Sequence, residues 1–228
     1  SGRIVDLDAV ESTVMKLCGK NFEVRSFFSG DVDGAGVDRT VVDLGENDIL
    51  RSVAEYVQSE GLELNQEYLI GIKGFIEGSN VLFHAPLYSS VSAYIYAVLN
   101  LRILQGDRVL VICHNRSQIP SYVKQMEQGF LSLTRTHKPL WRIATREDFS
   151  AASNVDVLVL APEDFADEKL FASAGNFLRN VSTAIIPDAN QLVSANNYAC
   201  QVISQRLSRC CRKNMQYIFL STRTVLNL

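Results

Sequence analysis

Apolar and polar positions along this chain fall into an alternating block pattern. From Asn47 onward, short apolar runs are separated by longer stretches in which apolar residues recur at helical spacing. The runs are Val81–Ala85, Arg108–Cys113, Leu140–Ala144, Asp156–Ala161, Ser182–Ile186 and Gln216–Thr222. Most are near-continuously apolar, as strands buried on both faces of a parallel sheet must be. Between them the spacing predicts helices. Ile49, Val53, Ala54 and Val57 share one face up to Gly61, and Asn65 can cap a helix over Gln66–Ile76. Further helices are expected over Val91–Leu104, Gln118–Leu131, Asp167–Leu178 and Gln191–Arg212, the last amphipathic and basic at its end. Strands alternating with helices of ten or more residues define an α/β fold, a mainly parallel sheet with helices on both faces.

Residues 1–45 do not share this rhythm and read as an N-terminal extension ahead of one domain over 46–228. Val5, Val10, Val14 and Leu17 have helical spacing, Phe22–Phe28 is a candidate strand, and Ser29–Gly36 is a loop. Asp31, Asp33 and Gly34 resemble the start of a calcium loop, but no glutamate stands at the twelfth place, so a solvated turn is expected.

Composition narrows the class. At 228 residues, 47% hydrophobic and 21% charged, the chain can bury one large core. A net charge of −3 gives no general attraction to nucleic acid, so any such binding must be local. No apolar stretch is long enough to span a bilayer, and Ser1-Gly2 reads as an expression scar. Five scattered cysteines, with Cys210 and Cys211 adjacent and lacking a C-x-x-C partner, are expected to be reduced thiols of a cytoplasmic protein without a zinc site.

The chemistry concentrates after the first regular strand. Val81–Ala85 runs into a turn of Pro86, Tyr88, Ser89 and Ser90, and the helix Val91–Leu104 follows at once. Strand, loop and helix N-terminus form the geometry in which a P-loop holds phosphates. Such a loop is glycine-rich and closes with Lys and then Ser or Thr. Here Tyr88 and Ser90 hold the glycine places, Val91 the lysine place, and only Ser92 fits.

The order of these segments, over about residues 50–226, resembles the first RecA-like domain of DEAD-box and DEAH-type RNA helicases. Gln66 stands where that family reads adenine, and Ala85-Pro86 begins its P-loop motif. Val109–Gln118 is similar to the segment around the Pro-Thr-Arg-Glu-Leu motif, with Arg116 in the arginine place. Val157–Glu163 resembles the strand leading into Thr-Pro-Gly-Arg, with Ala161 for the threonine. Ile185–Leu192 stands at the Asp-Glu-Ala-Asp box and Phe219–Arg223 at the Ser-Ala-Thr motif.

The resemblance implies a RecA-like three-layer sandwich and a vestigial nucleotide site at Gln66, Ser89, Ser92 and Asp188. It implies RNA contacts at Asn115, Arg116 and the amides after Pro162, where Glu163 and Asp164 add opposing charge. Partner contacts are expected at Tyr88, His114 and Asn190. The acidic box is broken in either register: Pro187 replaces the magnesium-binding aspartate, or Asp188 supplies it and Ala189 replaces the glutamate. Phosphoryl transfer depends on such positioned charges, so neither ATP nor magnesium is expected to bind.

Each residue has a plainer role beside the functional one. Gln66 is also a first-turn polar residue, Ser92 a helix N-terminal donor, His84 a core histidine, Arg116 one surface arginine among many. Tyr88 either fills the pocket that ATP would occupy or stacks on a base.

Three functions stay open. One is an inactive helicase-like domain that binds RNA or protein in a larger ribonucleoprotein factor, similar in kind to the Yb-type Tudor proteins of the piRNA pathway. The second is a divergent but active ATP-dependent helicase domain. The third is a pure protein-interaction scaffold. The resemblance further implies a second RecA-like domain, or a protein partner, closing over the strand ends.

Overall fold

The computed structural model describes residues 26–28, 73–86, 98–99, 102–103, 105–133, 142–149, 154–195, 197–211 and 214–223. Seven strands form one sheet: β1 Ser26–Phe28, β2 Val81–Pro86, β3 Arg108–Ile112, β4 Ile143–Thr145, β5 Val157–Leu160, β6 Val181–Ile186 and β7 Gln216–Arg223. Their order across the sheet is β1-β2-β7-β6-β3-β5-β4, and every pairing is parallel. This is the α/β arrangement expected from the alternation, and it agrees with the RecA-like fold that the resemblance implies. Ser26–Phe28 pairs with β2, so part of the N-terminal extension lies in the sheet.

Side-chain alternation along each strand divides the core into two layers. Leu110, Ile112, Leu158, Leu160, Ala184, Ile186 and Phe219 face one side, against Phe165, Leu170, Leu178, Leu192, Ile203 and Leu207. Val109, Val111, Val157, Val159, Ile185, Ile218 and Leu220 face the other, against Phe75, Val98, Leu99, Ile119 and Met126. Helix α1, Ile119–Leu133, covers the second face. On the first lie α2 Glu168–Ser173, α3 Gly175–Leu178, α4 Ala189–Ala195 and α5 Asn197–Cys210.

Two glycines set the entries into β2 and β3. Gly78 and Gly106 have φ of 96° and 79°, a left-handed conformation that a side chain would disfavour. Around each, paired bonds close the preceding helical turn: Ser79 N to Gly74 O and Gly78 N to Phe75 O, then Asp107 N to Arg102 O and Gly106 N to Ile103 O. These are Schellman ends. Beside them Gln216, first residue of β7, donates through Nε2 to Phe75 O and Ser79 O at 2.9 Å each. Arg102 donates to Gln216 Oε1 and lies 4.5 Å over the Phe75 ring.

Several boundaries differ from expectation. The strand expected over Leu140–Ala144 lies at Ile143–Thr145. The helix expected over Asp167–Leu178 is two short helices, with Asp167 as the cap that accepts from Lys169 N and Leu170 N. The long helix begins earlier, at Ala189, because Asp188 O accepts from Gln191 N and Leu192 N. It is described as two pieces, α4 and α5. Arg206, expected in a basic tail, lies 3.7 Å from Glu168 and over the Phe171 ring at 5.5 Å.

Candidate functional site at the strand ends

Because the strands are parallel, all their C-terminal ends lie along one edge of the sheet, where open α/β sheets bind ligands. Along the order β6-β3-β5-β4 this edge presents Asp188, then His114 and Arg116, then Asp164, then Arg146. Two carboxylates therefore alternate with an imidazole and two guanidinium groups.

Asp188 follows β6 and is largely buried. Its Oδ2 accepts a hydrogen bond from the Tyr122 hydroxyl and lies 3.2 Å from His114 Nδ1. Tyr122 comes from the first turn of α1, and His114 from the end of β3, so three elements converge on one carboxylate oxygen. Burial, and then the adjacent Asp188 carboxylate, push the Tyr122 hydroxyl well above its ordinary pKa, so it stays a donor. The same two causes push the neighbouring Cys113 thiol up to about 12. Ala189 follows and is buried.

Asp164 lies in the 3-10 turn Pro162–Ala166 after β5, and its side chain is 0% exposed. Its Oδ2 accepts from Ala161 N at 2.9 Å. Its Oδ1 accepts from Arg116 Nη2 and lies 3.7 Å from Arg146 Nε. Arg146 also donates to Asp167 Oδ2, from Nε at 3.2 Å and from Nη2 at 2.5 Å. That bond, first among several causes, holds the Asp167 carboxyl below the usual range.

The remaining expected residues fall on or near this edge. Asn115 caps the 3-10 turn Arg116–Gln118, its Oδ1 accepting from Gln118 N at 3.2 Å and the Ser117 hydroxyl at 2.7 Å. Arg116 is half exposed but pairs with Asp164, and Pro162 opens the turn after β5. Asn190 is 7% exposed, so it presents little surface. Gln66, Tyr88, Ser89, Val91 and Ser92 lie outside the described residues, as does the side chain of His84. The opposing charge expected of Asp164 is turned inward, while Glu163 stays exposed.

Sequence reasoning did not find Tyr122, Asp164 as an arginine partner, or Arg146. Tyr122 sits in an amphipathic helix like any core residue, and Arg146 in a turn without a motif. Among the described residues no cluster of three or more His, Cys, Asp or Glu is placed to hold a metal, and no helix is long and apolar enough to cross a membrane.

No protein-family model matches this chain, and no curated protein matches it by sequence. Solved structures do match by shape. The DUF1998 helicase MrfA, solved with DNA and AMPPNP, aligns with 75% of this chain at a TM-score of 0.60 and 13% identity. The helicase Lhr of Mycobacterium smegmatis, solved with single-stranded DNA and AMP-PNP, aligns with 78% at a TM-score of 0.63 and 19% identity. The matched segments are 26% and 25% of those proteins, so the chain spans about a quarter of each. At such identities the likeness establishes the fold: an α/β, RecA-like domain of the kind found in nucleic-acid helicases.

Proposed function

We propose that this chain is a catalytically inactive helicase-like domain that serves as an RNA- or protein-binding scaffold in a larger ribonucleoprotein factor. One observation carries the reading: Asp188 meets Tyr122 and His114 through one oxygen, and Ala189 stands beside it in place of a second acid. A magnesium nucleotide needs those carboxylates open to the ion and its waters. The residues on this side of the site do not fit that group. Val91 in the lysine place points the same way, since a lost lysine–phosphate contact is a charge-assisted one.

The expected result of calorimetric titration with ATP and magnesium is no measurable heat, and no turnover that Ser92→Ala abolishes. Micromolar affinity would overturn the reading in favour of a divergent active enzyme. Val91→Lys alone restores nothing, because the acidic box stays incomplete.

With the nucleotide contacts gone, the strand-end edge is the natural docking face for a second RecA-like domain or a protein partner, with Tyr88 and His114 as its contacts. Tyr88→Asp is expected to weaken such an association. RNA binding, where it occurs, is weak, independent of sequence and salt-sensitive, because only backbone phosphates are held.

A further inference from the structure

Arg116 and Arg146 leave the ends of β3 and β4 with side chains 50% and 41% exposed, and both turn toward one oxygen of Asp164, which is 0% exposed. Two guanidinium groups converging at a strand-end edge suit a phosphate, whose oxygens match the planar fork. The place between them is already filled by a carboxylate of the chain itself. Asp164 is anchored there from behind by Ala161 N, so it does not swing away with the surface. Asp167 takes the other reach of Arg146. Two cations thus face two anions, and the four together offer a passing phosphate no net attraction.

We propose that Asp164 is a built-in competitor for phosphate, holding Arg116 and Arg146 in a self-neutralised pair that single-stranded RNA must break to bind. The inference rests on the RNA-binding reading above and assigns to Arg146 a phosphate-contacting role beside Arg116. On this proposal the fold itself holds RNA affinity low, independent of the net charge of the chain.

The test is a titration of a labelled single-stranded oligouridine against the full chain, its Asp164→Asn variant and the double variant Asp164→Asn/Arg116→Gln, each checked by thermal melting. Asparagine can still accept from Ala161 N, and the double variant leaves no charge unpaired at this site. Asp164→Asn is expected to bind about three- to tenfold tighter at low salt. Its plot of log affinity against log salt should steepen by about 0.7 for each further phosphate that the freed arginines neutralise. The double variant should lose most of that increase in affinity. If Asp164→Asn fails to fold, Asp164→Ser, whose hydroxyl can serve Ala161 N, replaces it in the same comparison.

Unchanged affinity of the neutral variant overturns the competitor role, as does tighter binding that persists without Arg116. If the wild type binds and the variant binds equally, only this inference fails. If no form binds RNA, the RNA reading fails with it and the protein scaffold stands.

Discussion

Asp188 and Asp164 occupy equivalent positions at the ends of β6 and β5, yet the chain meets their charges differently. Asp188 keeps a little exposure and is held by a hydroxyl and an imidazole, groups that need not carry charge. Asp164 is fully enclosed and is held by a backbone amide and two arginines. The difference follows from desolvation. A carboxylate enclosed away from water is costly unless it is paired and hydrogen-bonded, whereas a partly wet one keeps some hydration. One carboxylate is therefore held by a hydroxyl and an imidazole, the other by two guanidinium groups and a backbone amide.

The largest effect that should separate the two ends is on stability. Arg116→Met leaves the enclosed Asp164 with Arg146 as its nearest cation, at 3.7 Å. The expected cost is about 2–4 kcal/mol, read by urea denaturation. A cost below about 0.5 kcal/mol would mean that Asp164 is not an enclosed anion.

Tyr122→Phe removes one donor from Asp188, which keeps His114 and some water. The expected cost is about 1.5–2 kcal/mol, the low end for a hydrogen bond to a charged group. If it exceeds the cost of Arg116→Met, the contrast between the two carboxylates is reversed.

The smallest effect is electrostatic and lies at the rim. Asp167 has a folded-state pKa below its unfolded value, chiefly through its bond to Arg146. Its contribution is therefore complete above about pH 4 and is lost as pH falls through the lowered folded value. Arg146→Gln should move the Asp167 titration, followed by carboxyl NMR, upward toward about 3.9. A titration that stays put would mean that the backbone amides of Lys169 and Leu170 hold it instead.

Much of the architecture was legible because hydrophobic periodicity is local. Arg108–Cys113, Asp156–Ala161 and Ser182–Ile186 could hardly be anything but buried parallel strands. The divided helix near Ala174 was not legible, since a cap at Asp167 and a glycine at 175 shift boundaries without disturbing the apolar pattern.

The candidate site was legible only in part. His114, Arg116, Pro162 and Asp188 were expected at strand ends, and the sheet places them along one edge. What each touches could not be read, because its partner lies far away along the chain. Tyr122 is 66 residues from Asp188, and Arg116 is 48 from Asp164.

By itself, then, the sequence determined the α/β class and the six regular strand runs from Val81 onward. Those depend on residue type and near-neighbour spacing. Only the tertiary structure decided that Asp188 meets a tyrosine and a histidine, and that the arginine expected to hold RNA closes on a carboxylate. Strand order sets those meetings, because the parallel sheet places β6, β3, β5 and β4 side by side and so aligns loops distant in sequence on one edge.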